Sequence, residues 1–94
     1  MTTVLIASKF SVTSDGTMLN IYHANKGEGI PKHSHAYSHL TICMAGKCAV
    51  RKENVEVFLT KESQPVNLKP AEWHEIEAVE DGTVFVNVFS ADKI

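Results

Sequence analysis

The sequence predicts an all-β protein, and the spacing of its strand-forming and turn-forming residues is the main observation. β-Branched and aromatic residues come in short runs, which turn residues separate about every 8–12 positions, as in small barrels and sandwiches. No segment longer than a turn or two carries the apolar spacing of an amphipathic helix. Because the 94 residues contain no linker and no internal repeat, we predict a single domain over residues 1–94.

The first third of the chain is interpreted as an edge strand, an inner strand and a loop. Residues 3–7 form the edge strand, and residues 18–23 form the inner strand. Because side chains alternate between the two faces of a strand, Asn20 and Tyr22 share one face of the inner strand. Residues 25–31 are predicted to be a loop, because they contain two glycines and a proline.

The rest of the chain is predicted to contain further short strands separated by turns. They span residues 40–44, 48–51, 55–60, 64–69, 73–79 and 83–90. The last of these is the longest apolar strand. Parity leaves two alternatives for its inward face, which are Val84, Val86 and Val88, or Phe85, Asn87 and Phe89.

Composition and charge exclude several classes of function. The net charge is −2, from 9 basic and 11 acidic residues, and the basic residues are scattered rather than arranged in a stripe. Nucleic-acid binding is therefore not expected. No apolar run approaches the roughly 20 residues of a membrane helix, and the N-terminus lacks the pattern of a signal peptide. We expect a cytoplasmic protein with neither a nucleic acid nor a membrane as its partner.

The two cysteines, Cys43 and Cys48, flank a segment that we interpret as a hairpin turn around Ala45-Gly46. Across such a hairpin the two thiols would face each other on neighbouring strands. Two cysteines are too few for a disulfide scaffold, and a reducing cytosol keeps thiols free. Two roles stay open, namely small buried core residues or a pocket-lining or redox thiol.

Three of the five histidines lie close together in sequence, at His33, His35 and His39. Strand alternation aims His33 and His35 to the same side, and a bend over residues 36–38 can return His39 to the same centre. His74 begins another predicted strand. Neutral imidazole is a common metal ligand and suits Fe, Mn, Ni, Cu and Zn. The pattern predicts a site for one divalent transition metal, and chance clustering of surface histidines is the alternative.

The spacing of these histidines resembles the first motif of the cupin family. In residues 27–46, Gly27 is followed by five residues, His33-Ser34-His35, three residues, His39, six residues and Gly46, which matches that motif throughout. The one substitution is His39, which stands where most cupins have Glu. The second motif, about residues 68–78, is looser. It keeps Pro70 before His74, but it lacks the family's Gly and has Ala78 in place of Asn.

The resemblance implies a cupin-type double-stranded β-helix, a small jelly-roll barrel with a metal ion near its middle. It also implies that His33, His35, His39 and His74 are the metal ligands. Four neutral imidazoles leave the full +2 charge of a divalent ion at the site, which favours anionic ligands. An octahedral ion with these four ligands keeps two positions for water or a chelating substrate, whereas structural zinc is closed and tetrahedral.

Function is predicted at the level of a reaction class. We expect a mononuclear metalloenzyme, oxygenase-like in its chemistry, that acts on a small oxygen-rich metabolite chelated at the metal. Many metal-binding cupins are dioxygenases, decarboxylases, lyases or isomerases, and the fold does not choose among them. Two alternatives are a non-catalytic cupin that binds a small anion or sugar, and a sugar isomerase.

Further residues are predicted to line a pocket beside the metal. These are Tyr22, Tyr37, Thr41, Cys43, Glu72, Ile76 and Asn87. Some share strand parity with a predicted ligand, and Tyr22, Tyr37 and Glu72 are candidates for a proton donor or base. His23 is not expected to be a ligand, because it lies far from the motif. Trp73 is expected to point to the face opposite His74.

We also expect a homodimer, because small sheets expose edges that proteins usually cover. The N-terminal strand and the apolar outer face of the sheet are the predicted contacts.

Overall fold

Residues 3–90 of the chain, as described by a computed structural model, form ten β-strands in two five-stranded sheets. The first sheet contains, in spatial order, β1 (Val4–Leu5), β4 (Glu28–His33), β9 (His74–Ala78), β6 (Cys48–Lys52) and β7 (Val55–Leu59). The second contains β2 (Phe10–Ser14), β3 (Thr17–Ala24), β10 (Thr83–Ser90), β5 (His39–Ala45) and β8 (Val66–Leu68). The ends of the predicted domain, residues 1–2 and 91–94, lie outside the described residues.

The path of the chain defines the architecture. From β3 to β6 and again from β7 to β10, each strand lies in the sheet opposite to its predecessor, while β6 and β7 form a hairpin within the first sheet. Neighbouring strands are antiparallel except for β1 and β4. This winding is the double-stranded β-helix that the resemblance to cupins implied. Residues 3–90 contain no helix, and so none that could cross a membrane.

Eight predicted strands are confirmed to within two residues at each end. Alternating burial explains why they could be recognised, as in β9, where the first, third and fifth residues are buried and the others are half-buried. The inward side chains form an apolar core in one half of the barrel, which contains Ala24, Cys43, Cys48, Val50, Leu59, Leu68, Ile76, Ala78 and Phe85. Polar side chains fill the other half, where β5 and β9 begin.

The closing strand β10 directs Phe85, Asn87 and Phe89 inward, which decides between the two alternatives. Phe85 lies in the core, and Asn87 and Phe89 line a cavity above it. Because β10 lies between β3 and β5, its inward residues have cross-strand neighbours on both sides. This position places Asn87 at the centre of the second sheet.

The predicted hairpin between Cys43 and Cys48 is wrong. The Ala45-Gly46 segment carries the chain from β5 in the second sheet to β6 in the first, so the two strands are not hydrogen-bonded neighbours. Gly46 has a φ of 70°, and a Cβ there would collide with Thr83, so only glycine fits this crossing. The two free thiols therefore face the core from opposite sheets.

Two segments were predicted incorrectly as non-strand. Residues 28–31 of the predicted loop belong to β4, where Pro31 coincides with a shift of register against β9. A proline cannot donate to the ladder, which accounts for the interruption. Strand β2 was missed, because all five of its residues are exposed and no alternation of burial marks it.

A cluster of ion pairs around Arg51 stabilises β9, the strand that begins with His74. The guanidinium of Arg51 on β6 contacts carboxylates on both neighbouring strands, at 2.6 Å to Glu56, 2.9 Å to Glu75 and 2.7 Å to Glu77. These contacts raise the pKa of Arg51, with Glu56 and Glu77 contributing most. The cluster ties β6, β7 and β9 together on the outer face of the first sheet.

Candidate metal centre

Four histidines converge in the polar half of the barrel, and each lies at or near a strand end. His33 ends β4 and pairs in register with His74, which begins β9. His35 lies in the bend after β4. His39 begins β5 in the opposite sheet. The two sheets therefore meet at this cluster, because the first supplies His33 and His74 and the second supplies His39.

Five of the six possible pairs of rings are in contact. The centroid separations are 4.3 Å for His33–His74, 4.9 Å for His35–His74, 5.0 Å for His35–His39, 5.2 Å for His39–His74 and 5.3 Å for His33–His35. One ring nitrogen from each of His33, His35 and His74 lies within 4.8 Å of the others. These three residues could hold a metal ion. His39 joins them through a 3.3 Å contact between its Nε2 and that of His74.

Backbone carbonyls determine the tautomers of three of the rings. The Nδ1 atoms of His33, His35 and His74 lie 2.8, 2.7 and 3.1 Å from the carbonyl oxygens of Pro31, Tyr37 and Glu72. A carbonyl oxygen only accepts, so each Nδ1 must carry the proton and donate it. In the neutral ring, Nε2 then presents its lone pair to the common centre, which is the arrangement of metal-bound imidazoles.

His39 follows the same pattern through a side chain. Its Nδ1 lies 3.5 Å from the carbonyl oxygen of Leu40 and 3.4 Å from Oγ1 of Thr41. The Thr41 hydroxyl donates its proton to Oδ1 of Asn87 at 2.7 Å, so it can only accept from His39. Nε2 of His39 therefore also presents a lone pair.

The contact between His39 and His74 tests whether a metal fits this site. Both Nε2 atoms are acceptors and they lie only 3.3 Å apart, so no hydrogen bond can join them while both rings are neutral. A cation between them would resolve this, since bonds of about 2.1 Å from imidazole nitrogen to a first-row ion can bridge that separation. The donor set fits a divalent transition metal.

Electrostatics keep these two rings neutral. Burial and, as the next contribution, the neighbouring His74 lower the pKa of His39 to about 4. Burial also lowers the pKa of His74 to about 4, with His33 as the next contribution. Protonation at neutral pH is thereby disfavoured, so the lone pairs stay available for a metal ion.

A cavity of about 190 Å³ opens beside the histidines. Its lining residues are Leu5, Ile6, Asn20, Tyr22, Ile30, His33, His35, Tyr37, His39, Asn87 and Phe89. Three predicted pocket residues, Tyr22, Tyr37 and Asn87, are among them. Thr41 is fully buried behind the lining, in contact with His39 and Asn87. The volume is roughly six times the ~30 Å³ share of one water, so it suits a small metabolite.

Three predicted pocket residues lie elsewhere, which corrects their assignment. Cys43 and Ile76 share strand parity with the histidines but belong to the apolar core, two layers and one layer deeper, respectively. The side chain of Glu72 turns away, with its Oε1 lying 3.6 Å from Nζ of Lys52 and accepting from the backbone amide of Lys69. Glu72 contributes only its carbonyl oxygen, which orients His74.

Two remaining predictions concern residues beside the site. His23 is exposed and packs edge-on against Phe10, away from the cluster. The ring of Trp73 lies 4.3 Å from Nζ of Lys32 and does not line the cavity.

Asn20 lines the cavity and was missed as a site residue, although it shares its strand face with Tyr22. That parity is the signal that could have identified it.

Two sheets wound as a double-stranded β-helix, with a histidine cluster inside the barrel, define the cupin class of fold. No protein-family model and no curated protein matches the sequence. Among solved structures, the chain is similar to KdgF from Halomonas sp., with a TM-score of 0.75 and 16% identity over 84% of this chain and 73% of that chain.

Two further solved structures support the same conclusion. A cupin-2 domain containing protein from Shewanella frigidimarina NCIMB 400 has a TM-score of 0.72 and 10% identity, over 90% of this chain and 83% of that one. A cupin protein from Bacteroides fragilis has a TM-score of 0.67 and 19% identity, over 95% and 83%. The chain has the cupin fold, and similarity at these identities shows the fold alone.

Proposed function

We propose that this chain is a metal-dependent enzyme with oxygenase-like chemistry, acting on a small oxygen-rich metabolite. One ion of Fe, Mn, Ni, Cu or Zn would be held by Nε2 of His33, His35, His39 and His74. When bound, such an ion supplies Lewis acidity toward an oxygen ligand or redox chemistry toward dioxygen. The observation that supports the proposal is the convergence of four unprotonated Nε2 atoms beside a cavity.

The residues of the chain would prepare the site before any ligand arrives. Carbonyl acceptors hold three rings in one tautomer, which avoids reorganisation when the ion binds. The cavity lining also contains Leu5, Ile6, Ile30 and Phe89, which form an apolar wall. That wall limits the access of water to the ligand and strengthens the electrostatic interactions inside.

A non-catalytic module that binds a small anion or sugar is the second candidate. One observation favours it, because the described residues that line the cavity include no carboxylate and no lysine that could act as a base. The sugar-isomerase alternative loses support for the same reason, since the carboxylate of Glu72 is directed away from the cavity.

We place this activity in the cytoplasm. Cys43 and Cys48 are free and buried, which fits a reducing compartment. Burial raises the pKa of Cys48 to about 12, with the neighbouring Cys43 as a further cause, so its thiol is inert. Fractionation of native cells would test this location.

Metal analysis of the purified protein tests the proposal. We expect about one equivalent of a first-row transition metal in the wild-type protein, and none in the His33→Ala, His35→Ala double variant, because too few ligands remain to hold the ion. Elemental analysis by mass spectrometry measures the stoichiometry, and circular dichroism checks that the variant remains folded.

His23→Ala is the matched control, because it removes an exposed imidazole outside the cluster and should retain the metal. A single His39→Ala variant tests the fourth ligand, and we expect its metal affinity to fall at least about tenfold in a competition with a chelator. Retention of the metal by the double variant would disprove the ligand assignment. Unchanged metal affinity in His39→Ala would reduce the set of metal ligands to three.

A further inference from the structure

Three polar side chains form a row across the second sheet, one layer from the histidines. Asn20 on β3, Asn87 on β10 and Thr41 on β5 are cross-strand partners in register. Asn20 and Asn87 line the cavity, and Thr41 lies behind it. Their mutual hydrogen bonds determine which polar atoms remain for a ligand.

Thr41 determines the orientation of the Asn87 amide. The Thr41 hydroxyl donates to Oδ1 of Asn87 at 2.7 Å, and within residues 3–90 this is the only side-chain hydrogen bond found for Asn87. The oxygen of the amide is thus engaged, and its NH₂ group, which can only donate, is left for the cavity. A series of hydrogen bonds through Thr41 and Asn87 therefore connects His39 to the cavity.

A second pair of hydrogen-bonding residues, Ser11 and Asn20, favours a Tyr22 hydroxyl that donates into the cavity. Oγ of Ser11 donates to Oδ1 of Asn20, which leaves the Asn20 NH₂ group to donate toward the neighbouring Tyr22 hydroxyl on the same strand face. The Tyr22 hydroxyl then has its own proton free to donate into the cavity. Burial raises the pKa of Tyr22, so the hydroxyl stays protonated. Stacking on Phe85, at 4.8 Å between centroids, holds the ring in place.

The absence of charged side chains from the described cavity lining also restricts which ligands can bind. Among the described residues that line it there is no Lys, Arg, Asp or Glu, and the histidines direct acceptor nitrogens at their common centre. Away from that centre, the polar groups offered to a ligand include the Asn87 amide and the hydroxyls of Tyr22 and Tyr37, all of which can donate. Such a lining favours ligands with acceptor oxygen atoms.

We propose that Asn87 and Tyr22 determine the specificity of the site by donating hydrogen bonds to acceptor oxygens of a small monoanionic carboxylate or enolate, with Thr41 as a positioning residue for Asn87. This inference rests on the proposed function, because the ligand would lie beside the metal site. The ligand's single negative charge is balanced by the ion and not by a basic side chain. Its body packs against the apolar wall of Ile6, Ile30 and Phe89.

Binding of pyruvate to the zinc-loaded protein tests the inference, because pyruvate is a small monoanion whose oxygens only accept. Titration followed by NMR of the side-chain amide of Asn87 should show that its signals shift on binding. We expect Asn87→Asp and Tyr22→Phe each to weaken pyruvate binding about tenfold or more, since each loses a hydrogen bond to a charged ligand. Thr41→Val should weaken it similarly, and Thr41→Ser should restore it.

Two controls separate specificity from damage to the fold. Asn67→Asp makes the same substitution at an exposed position of the same sheet and should leave pyruvate binding unchanged. Imidazole, a neutral ligand without acceptor oxygens, should bind Asn87→Asp at least as well as wild type. Equal pyruvate affinity in wild type, Asn87→Asp and Tyr22→Phe would overturn the inference, as would an Asn87 amide in the metal-loaded protein that does not respond to pyruvate.

Metal content, measured on the same samples, reports separately on the proposed function. A wild-type protein that cannot be loaded with any metal defeats the proposed function, whatever the pyruvate titration shows. A fully loaded protein without the expected pyruvate response defeats only the inference about Asn87 and Tyr22.

Discussion

Ala71 adopts a backbone conformation that ordinarily favours glycine, with a φ of 62°. It lies in the turn before His74, and its amide donates to the carbonyl oxygen of His35 at 2.7 Å, so the turn connects two histidine-bearing segments. Ala71 stands where the second cupin motif has its glycine. The hydrogen bond shows that the strained conformation is retained by a contact next to the site.

We predict that Ala71→Gly stabilises the protein. The left-handed region costs a residue with a Cβ about 1–2 kcal/mol, and the greater freedom of glycine in the unfolded chain offsets about 0.5–1 kcal/mol of the gain. A net increase of about 0.5–1 kcal/mol in the free energy of unfolding should raise the thermal midpoint by a few degrees. Urea or thermal unfolding measures it.

The control for this prediction is Ala7→Gly, an exposed alanine outside the positive-φ residues. There the same substitution should only increase the freedom of the unfolded chain and therefore destabilise the protein. Destabilisation of similar size in both variants would show that Ala71 carries no conformational strain.

At the scale of single elements, β4 and β9 carry His33 and His74, two of the four histidines, and the close approach of these strands depends on Gly29. A Cβ on Gly29 would collide with the backbone carbonyl of Ile76, two residues after His74. The Gly-rich and Pro-containing segment was predicted as a loop, because local sequence cannot show that a glycine serves close packing between strands. His33, His35 and His39 were identified despite this, since their spacing is a local property.

Gly29→Ala should therefore displace β9 and loosen the metal site. We expect a loss of at least about 1–3 kcal/mol in the free energy of unfolding, because the clash is with backbone that cannot move aside. The same substitution should weaken metal affinity, because His74 would shift with β9. Urea unfolding and a chelator competition measure the two effects.

Gly27→Ala is the comparison, since Gly27 also has positive φ but a Cβ there would meet nothing within 4 Å. It should cost conformational energy without weakening the metal. If both glycine variants lose metal equally, the contact between Gly29 and Ile76 is not what positions His74.

At the scale of the whole molecule, the resemblance to cupins predicted the winding of the barrel, but the sequence did not predict every connection. Ala45-Gly46 is compatible both with a hairpin and with a crossing between sheets, and only the packing of Gly46 against Thr83 distinguishes them. The same limit applies to Cys43, Ile76 and Glu72. Parity shows which side of a strand a residue occupies, whereas depth in the barrel and the direction of a long side chain depend on tertiary contacts.

The outer edge of the second sheet is the remaining feature at this scale. Within residues 3–90, strand β2 is an edge strand that pairs only with β3, and its Phe10 and Val12 are 52% and 47% exposed. Unpaired edges with apolar side chains are prone to pair with another chain. Two copies of one edge can pair antiparallel about a two-fold axis, so a second copy of this chain satisfies both edges at once.

We therefore propose a homodimer formed through β2, and we predict that Val12→Asp weakens it by burying a charge between the two edges. Light scattering of the wild-type protein should give about twice the 10.4 kDa chain mass, with Val12→Asp shifted toward a single chain. Val55→Asp makes the same change at an exposed position on β7, one edge of the other sheet, and should leave the dimer intact. A wild-type protein that scatters as a single chain at high concentration would contradict the dimer, and dissociation by Val55→Asp alone would move the contact to the first sheet.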